Sequence, residues 1–599
     1  MAKKSQVEKG KGIAVPAESI RADLIRGAIL ALLAVLIWCA VYNRWTGESW
    51  QTPLTYRSEP EKADAMSLFA AVKAASQGHF LPFFFTNIPE LGAPFTANWD
   101  DFPTTEKPLI CLTGLLASLI GVFAAVNFAV MLGHVLAALA FYTACRLLNA
   151  NWTWAFAGAL IFGFARYAFA HALHHLTILY YWHVPLCVLV GYWAISGEGI
   201  KWDGRRFYIA LAVAFITGVQ NVYYTNLFAQ FVLFGGLLQG WRRGWRAAVP
   251  AGAVIGTAAV AFLVMNLNTI FYHMAHGGND QAVTRNYQWL EIYGLKIVDM
   301  VVPPPDHPVS FLASWGAAHL KEVVLAPGEL PPSGYLGIVG LAACAWLVVI
   351  SLRQAIGREK LPLETYFILW ILIYAGVGGL NGIMGTLGFQ LFRATTRYTI
   401  FILCIVLMYA VGYLSAKVSR DKMLIYIASV VLTALALWDQ MPPIVSSEEL
   451  ATTAQSVASD RHFTEEMEKR LPPNAMVFQM PVMDFPETPA PGVSPYDHFR
   501  PYLFSQHLRY SFGSDKGRPQ QHWQESVKQM QQLNDLVTRL EGYGFAAIYV
   551  NRGGFTDKAE PMIDMFKKMG RGDIIESEQH DIYCVLLKPA AQPTLPDAN

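Results

Sequence analysis

Three carboxylates follow the first apolar run of the chain, and they are the side chains best placed by type to move a proton. The first, Asp64, opens a short amphipathic run in which Leu68, Phe69 and Val72 fall on one helical face. Aspartate is a preferred residue at a helix start, which is one interpretation of Asp64. The other is a general base that takes the proton of an attacking hydroxyl. The two roles are compatible in one residue.

The other two carboxylates, Asp100 and Asp101, are adjacent and stand between Trp99 and Phe102. Aromatic rings stack on sugar faces, and carboxylates accept hydrogen bonds from sugar hydroxyls. The same pair could bind Mg²⁺ or Mn²⁺, which prefer oxygen ligands. A turn ahead of Pro103 is the structural alternative. We therefore treat Asp100 and Asp101 as catalytic candidates and Trp99 as a substrate-binding candidate.

Histidines are concentrated in one short segment that holds His171, His174 and His175. His171 and His175 are four residues apart, so they share a face of any helix formed there. A zinc site would need an acidic or thiol ligand that is missing nearby. His174 and His175 are candidates for hydrogen bonding to a phosphate, with a purely structural role as the alternative.

Arginines in segments predicted to lie outside the membrane run against the usual bias of positive charge toward the cytoplasm. Arg285, Arg393 and Arg397 are the examples, and the planar guanidinium suits a phosphate because it donates two parallel hydrogen bonds. Pairing with lipid headgroups or with Glu291 is the alternative. Tyr223, at an outer turn, completes this set of substrate-binding candidates.

The composition defines the class of protein that must position these residues. Of 599 residues, 54% are hydrophobic and 15% are charged, against about 25% charged in an average soluble domain. Apolar runs of about 20 residues recur and predict a polytopic α-helical membrane protein with about eleven transmembrane helices. Clustered Lys and Arg predict a cytoplasmic N-terminus. The seven cysteines show no disulfide or CxxC pattern.

The predicted organisation has four parts. Residues 1–26 form a cytoplasmic tail, and residues 27–438 form the transmembrane domain with an outer loop at 44–126. The helix predicted over 108–127 lies on or dips into the membrane. Residues 439–588 form a C-terminal α/β domain, with strands at 475–482, 546–550 and 582–587 and an amphipathic helix at 525–540. Residues 589–599 are predicted to be disordered.

Two resemblances follow from this pattern. The acidic outer loop, the helix led by Lys107-Pro108-Leu109 and the span ending in Cys145-Arg146-Leu147 resemble the GT-C superfamily of polytopic glycosyltransferases. That resemblance implies a polyprenyl-phosphate sugar donor and a carboxylate base in the first outer loop, at Asp64, with Asp100 or Asp101 as the second acidic position. Other segments are similar to bacterial membrane proteins of the YfhO family, namely 291–296 with Pro304 and His307, 392–397, and 510–518. His307 is also one of the substrate-binding candidates.

The function predicted is transfer of a sugar from a polyprenyl phosphate to an envelope glycan or lipid, at the periplasmic face of a bacterial inner membrane, with the C-terminal domain in the periplasm. The expected partners are the lipid-linked sugar, its acceptor and membrane lipids, with no nucleic acid. A transporter or flippase of lipid-linked sugars is the first alternative, although such a protein would carry ionisable residues within its spans. A non-catalytic accessory membrane protein is the second.

Overall fold

The computed structural model describes residues 17–57, 64–172, 174–197, 199–283, 285–324, 333–416, 422–530 and 532–597. Most of the predicted N-terminal tail, residues 1–16, lies outside these ranges. The chain folds as a polytopic α-helical membrane part followed by a sheet-containing C-terminal domain, as predicted.

In the described residues of the first half of the chain, helices predominate, and the long non-helical segment 77–106 holds one small hairpin. Its helices are α1 Ala17–Tyr42, α2 Gly47–Gln51, α3 Asp64–Ser76, α4 Lys107–Ile120, α5 Val122–Leu147, α6 Trp152–Gly163, α7 Arg166–His171, α8 Leu176–Leu179, α9 Val184–Ile195, α10 Arg205–Gly218, α11 Val222–Arg243, α12 Val249–Met265 and α13 Leu267–His276. The hairpin is formed by β1 Asn87–Ile88 and β2 Ala97–Asn98.

Three short helices precede the last spans. They and the helices that follow are α14 Gln288–Ile292, α15 Ile297–Val301, α16 Ser310–Glu322, α17 Gly337–Ile356, α18 Leu363–Ala375, α19 Leu380–Thr386, α20 Thr399–Ala416 and α21 Lys422–Gln440.

Among the described residues, seven helices are long and apolar enough to cross a membrane, or eight if the bent pair α12 and α13 counts as one span. Two shorter apolar helices, α4 and α18, accompany them. Helices α10 and α11 occupy the positions of two further predicted spans. The figure of eleven stays a prediction.

Helix α5 lies at the centre of the membrane part, where it contacts α1, α4, α6 and α9. Small residues allow the closest of these approaches. A methyl group built on Gly163 of α6 would lie 2.9 Å from Cβ of Ala138 and 3.1 Å from the carbonyl oxygen of His134, both on α5. Close backbone approach at small residues is a common way for membrane helices to pack.

The helix predicted over 108–127 is shorter than expected. Helix α4 ends at Ile120 because Gly121 adopts a φ of 89°, a left-handed value that glycine tolerates without a steric penalty. The next helix begins at Val122. Helix α4 buries Leu109, Ile110 and Ala117, while Leu115 and Leu119 are exposed on its other face.

The C-terminal domain is built on a five-stranded sheet with the order β4-β3-β5-β7-β6. Strands β3 and β5 are parallel, and β7 is antiparallel to both β5 and β6. The elements are α22 Ser447–Arg470, β3 Met476–Met480, α23 Arg500–Phe504, β4 Arg509–Tyr510, α24 Pro519–Lys528, α25 Leu533–Gly542, β5 Phe545–Asn551, α26 Glu560–Lys568, β6 Ile574–Glu576 and β7 Ile582–Leu586. The three strands predicted from the sequence correspond to β3, β5 and β7.

The single helix predicted over 525–540 is wrong, because two helices, α24 and α25, occupy that stretch. The break lets Val527 of α24 and Leu536 and Val537 of α25 all bury against the same face of the sheet. Residues 589–597, predicted to be disordered, run beside α25, where the amides of Ala590 and Thr594 donate to the carbonyls of Glu541 and Gly542.

The outer loop and the C-terminal domain are joined by backbone and by charge. The segment after β1 adds to the edge of the sheet, where Ala93 N donates to Tyr510 O at 2.9 Å and Tyr510 N donates to Glu90 O at 2.8 Å. Asp460 of α22 accepts from Arg500 at 2.6 and 2.8 Å and from the Tyr56 hydroxyl at 2.6 Å. The candidate residues of the first outer loop therefore lie against the C-terminal domain.

Candidate active site

Asp64 stands in the first turn of α3, as the sequence predicted. Its side chain is 46% exposed, and its Oδ2 lies 3.2 Å from Nε2 of His175. The carboxylate is thus held from one side by an imidazole and open to solvent on the other. Such a group can accept a proton from a ligand without first losing a set of buried contacts.

His175 lies in the short connection between α7 and α8, and it also contacts His171. The Nδ1 atoms of the two rings are 3.4 Å apart. Because Nε2 of His175 faces a carboxylate, we assign the proton of that ring to Nε2, so that its Nδ1 accepts from the Nδ1–H of His171. The ring of His174 packs 4.8 Å from that of His175. The histidine segment therefore orients Asp64.

Arg285 lies within electrostatic range of Arg393 and Arg397, although more than 100 positions of the chain separate it from both. Burial, together with the charges of Arg393 and Arg397, lowers the pKa of Arg285, while Glu487 opposes that shift. Because the charges of Arg393 and Arg397 both act on Arg285, an anion bound beside Arg285 is stabilised by more than one cation.

Aromatic rings hold two of these arginines in place. The guanidinium of Arg393 lies 4.3 Å from the ring centre of Trp289 and 5.0 Å from that of Tyr293. The guanidinium of Arg397 lies 4.8 Å from the ring centre of Tyr223. Stacking on a ring face restrains the planar group.

The C-terminal domain connects the arginines with Asp64. Glu487 lies 4.0 Å from Arg285. Burial, with the charges of Asp64 and Glu487, raises the pKa of Tyr496 well above its usual value, so this ring lies within electrostatic range of both carboxylates. We call the group Asp64, His175, Arg285, Arg393, Arg397, Glu487 and Tyr496 the outer site.

Glu106, at the start of α4, is a further carboxyl near the outer site that sequence reasoning missed. Burial raises its pKa, and hydrogen bonds from Asn221 and Thr177 and the charge of Arg397 act in the opposite direction. The signal that could have found it is its place directly before Lys107-Pro108, where a helix start brings backbone N–H groups and positive potential.

Asp100 lies elsewhere and is fully buried. Its Oδ2 accepts from Thr86 N at 2.8 Å and from Asn98 at 2.9 Å, and its Oδ1 accepts from Lys107 at 3.3 Å and from Asn268 at 2.5 Å. Four donors surround this carboxylate, which joins the outer loop to α4 and α13.

Asp101 is paired with Arg518 of the C-terminal domain, which donates to both of its oxygens. Asn279 donates at 2.9 Å, and Nε2 of His273 lies 3.3 Å away. Burial raises the pKa of Asp101, but the hydrogen bonds from Arg518 and Asn279 outweigh it and hold the pKa below its usual value.

The surroundings of Asp100 and Asp101 do not fit Mg²⁺ or Mn²⁺. Their oxygens face Lys107 and Arg518, and a divalent cation would have to displace those charged donors. Within the ranges that the structure describes, no group of three or more His, Cys, Asp or Glu side chains is placed to hold a metal ion.

The remaining candidates have structural contacts. Trp99 stacks on Phe485 at a ring-centre distance of 5.3 Å and donates from Nε1 to Gly513 O at 2.8 Å. The Tyr223 hydroxyl accepts from Ala394 N at 3.0 Å and so supports the loop that carries Arg393. His307 is buried elsewhere, with Nε2 3.1 Å from Asp439 and Nδ1 accepting from Val309 N at 3.0 Å.

Comparison with known proteins gives no relative by sequence: no family model matches the chain, and neither does any curated protein. Among solved structures it is similar to ArnT from Cupriavidus metallidurans bound to undecaprenyl phosphate, with a TM-score of 0.43, 11% identity and coverage of 97% of this chain and 100% of that one. It is also similar to the Archaeoglobus fulgidus oligosaccharyltransferase tethered with an acceptor peptide, with a TM-score of 0.42, 10% identity and coverage of 88% and 69%.

Proposed function

We propose that the protein is a membrane glycosyltransferase that moves a sugar from a polyprenyl phosphate to an envelope glycan or lipid. The observation that carries the proposal is the outer site itself, where a half-exposed carboxylate held by His175 is connected through Tyr496 and Glu487 to a group of three arginines. A base and an anion-binding group are the two parts that this reaction requires.

Asp64 is the general base in this proposal. The hydroxyl oxygen of the acceptor attacks the anomeric carbon of the sugar, and its proton passes to the Asp64 carboxylate. The bond from the anomeric carbon to the phosphate oxygen breaks, and the phosphate leaves with the electron pair. The Nε2–H of His175, 3.2 Å from Oδ2, keeps the carboxylate oriented during this step.

The arginines stabilise the leaving group. A phosphodiester carries one negative charge, and the polyprenyl phosphate that departs carries nearly two at neutral pH, so negative charge develops as the bond breaks. Preorganised donors aimed at developing charge lower the barrier of such a step. Stacking on Trp289 and Tyr223 preorganises Arg393 and Arg397.

We assign Asp100 and Asp101 a structural role in the proposal, because both are committed to buried cations. We also propose that the outer site faces the periplasm of a bacterial inner membrane, with the N-terminus in the cytoplasm. Helix α11 supports this orientation, since its start at Asn221 lies beside Glu106, while Arg242 and Arg243 end it about 33 Å away.

The test is the variant Asp64→Asn, which keeps the size of the side chain and removes its basicity. Envelope glycans and glycolipids are compared by mass spectrometry in cells that carry the wild-type chain, a deletion, Asp64→Asn or the control Asp299→Asn. Asp299 is matched because its Oδ1 lies 3.1 Å from Nε2 of His319, a pair of the same kind. We expect loss of one sugar mass in the deletion and in Asp64→Asn, with normal protein levels, and no loss in the control.

Two results would contradict the proposal. A loss in the deletion with normal product in Asp64→Asn would exclude Asp64 as the base and favour a transporter or an accessory protein. Equal losses in Asp64→Asn and Asp299→Asn would show that breaking any such pair is sufficient, so that the effect is not specific to the outer site.

A further inference from the structure

A loop in the first outer segment exposes four large apolar side chains to solvent. Directly after α3, Leu81 is 38% exposed, and Phe83, Phe84 and Phe85 are 54%, 66% and 49% exposed. Single exposed apolar residues are common, but three successive phenylalanines form a contiguous patch, which usually marks a surface that binds something apolar.

The base of this loop is fixed by buried contacts, and these contacts restrain the position of its exposed tip. Phe80 is buried, and its ring centre lies 5.4 Å from Nζ of Lys107. Lys107 Nζ also donates to Phe84 O at 3.4 Å and to the Thr86 hydroxyl at 2.9 Å, and Thr86 N donates to Asp100. The exposed rings therefore project from a base fixed by a buried ion pair.

The patch continues onto α13 and from there onto α12. The ring of Phe85 lies 6.5 Å from that of Tyr272 on α13. On the same helix Phe271 is 54% and Met274 77% exposed, and on α12 Val260 is 59% and Leu263 51% exposed. Taken together, the bent pair formed by α12 and α13 is long and apolar enough to be one broken membrane span or a re-entrant loop, and the 81–85 loop is continuous with its exposed apolar surface.

The lengths of α12 and α13 give the position of the loop along the membrane normal. Helix α12 has 17 residues and rises about 26 Å, which is short of the roughly 30 Å apolar core of a bilayer. Helix α13 departs at 53°, so Tyr272, seven residues beyond Met265, adds about 6 Å along the span. When the start of α12, just after Arg246, is taken as the inner boundary of the bilayer, Phe85, which packs on Tyr272, lies near the opposite boundary between acyl chains and headgroups, where aromatic side chains are enriched.

We propose that the 81–85 loop, together with Phe271 and Met274, inserts into the outer boundary of the bilayer and binds phospholipid there. The ligand class is a membrane phospholipid, contacted at its upper acyl chain. Because the base of the loop is tied to Asp100 and Lys107, this contact sets the height of the outer segment above the membrane. The proposal is independent of the reaction at the outer site.

The test is photocrosslinking of the full chain in native membranes. A photoreactive phenylalanine analogue is incorporated at Phe84, at Met274 or at Met565, an exposed apolar residue of α26 in the C-terminal domain, with 45% exposure. Leu32, 59% exposed in the α1 span, is the positive control. After irradiation, phospholipid adducts on the labelled peptides are counted by mass spectrometry.

We expect adduct yields at Phe84 and Met274 comparable to that at Leu32 and at least tenfold above that at Met565. Yields at both positions equal to that at Met565, while Leu32 reacts, would overturn the proposal. Adducts at Phe84 and Met274 that are mainly peptides of another protein would also overturn it, and would make the patch a protein interface. Adducts that are mainly polyprenyl lipid would also overturn it, and would show that the patch binds the lipid-linked substrate rather than bilayer phospholipid.

Discussion

Asp101→Asn separates a structural carboxylate from a catalytic one, and the structure sets the size of its effect. The side chain of Asp101 is fully buried and that of Arg518 is 9% exposed. Removing one member of a buried ion pair costs about 3–5 kcal/mol, because the other charge stays buried without its partner. Arg518 also donates to the carbonyls of His276 and Gly277, each at 2.9 Å, so we expect the lower end, about 3 kcal/mol.

The assay is thermal unfolding of the purified full chain. Unfolding is measured as the fraction of the C-terminal domain that a protease cleaves at each temperature. For a domain of 150–250 residues, 1 kcal/mol lowers Tm by about 2–4 °C, so Asp101→Asn should lower it by about 6–12 °C. The double variant Asp101→Asn with Arg518→Met removes both charges. It should be no less stable than Asp101→Asn alone, because the two effects are not additive when the residues act as a pair.

One result would refute this reasoning. If Asp101→Asn left Tm unchanged and abolished the glycan product, Asp101 would be part of the reaction rather than of the contact between the outer loop and the C-terminal domain. The pairing with Arg518 predicts the opposite result, in which Asp101→Asn lowers Tm and the product is restored at a reduced growth temperature.

Two further predictions concern the arginines and the helix packing. Arg393→Lys keeps the charge but loses the planar group stacked on Trp289. We expect about tenfold less product at limiting donor, because hydrogen bonds to charged groups contribute about 1.5–3 kcal/mol. Unchanged product in the mass-spectrometric assay would contradict this prediction. Gly163→Ala should destabilise the membrane part by about 1–3 kcal/mol, since its methyl group meets Ala138 at 2.9 Å, whereas Gly252→Ala, with no atom within 4 Å, should leave Tm unchanged. Equal Tm values for the two glycine variants would contradict the close packing of α6 on α5 at Gly163.

Features with local signals could be predicted from the sequence. The start of α3 at Asp64 follows from a capping residue ahead of an amphipathic run, and β3, β5 and β7 follow from short apolar runs bounded by polar ones. The split between α24 and α25 was missed, because it is required by the sheet on which Val527 and Leu536 both pack, and the sheet is a tertiary feature.

The candidate site shows the same limit. The chemistry of Arg285 and Asp64 could be inferred from residue type, but the connection between them runs through Glu487 and Tyr496, which come more than 420 positions after Asp64. The sequence also could not predict the partners of Asp100 and Asp101, because these partners are distant in the chain. Asn268 and Arg518 lie 168 and 417 positions further along the chain.

The contact between Asp101 and Arg518 also imposes an order on how the molecule is made. The ribosome synthesises the outer loop long before Arg518. Asp101 therefore has no guanidinium partner until Arg518, 417 positions later, has been added to the chain. The sheet edge at Tyr510, on which Ala93 pairs, is likewise delivered late. The outer loop can therefore reach its final conformation only after the C-terminal domain has emerged. A chain released early would carry the residues of the first loop without the partners that hold them in place.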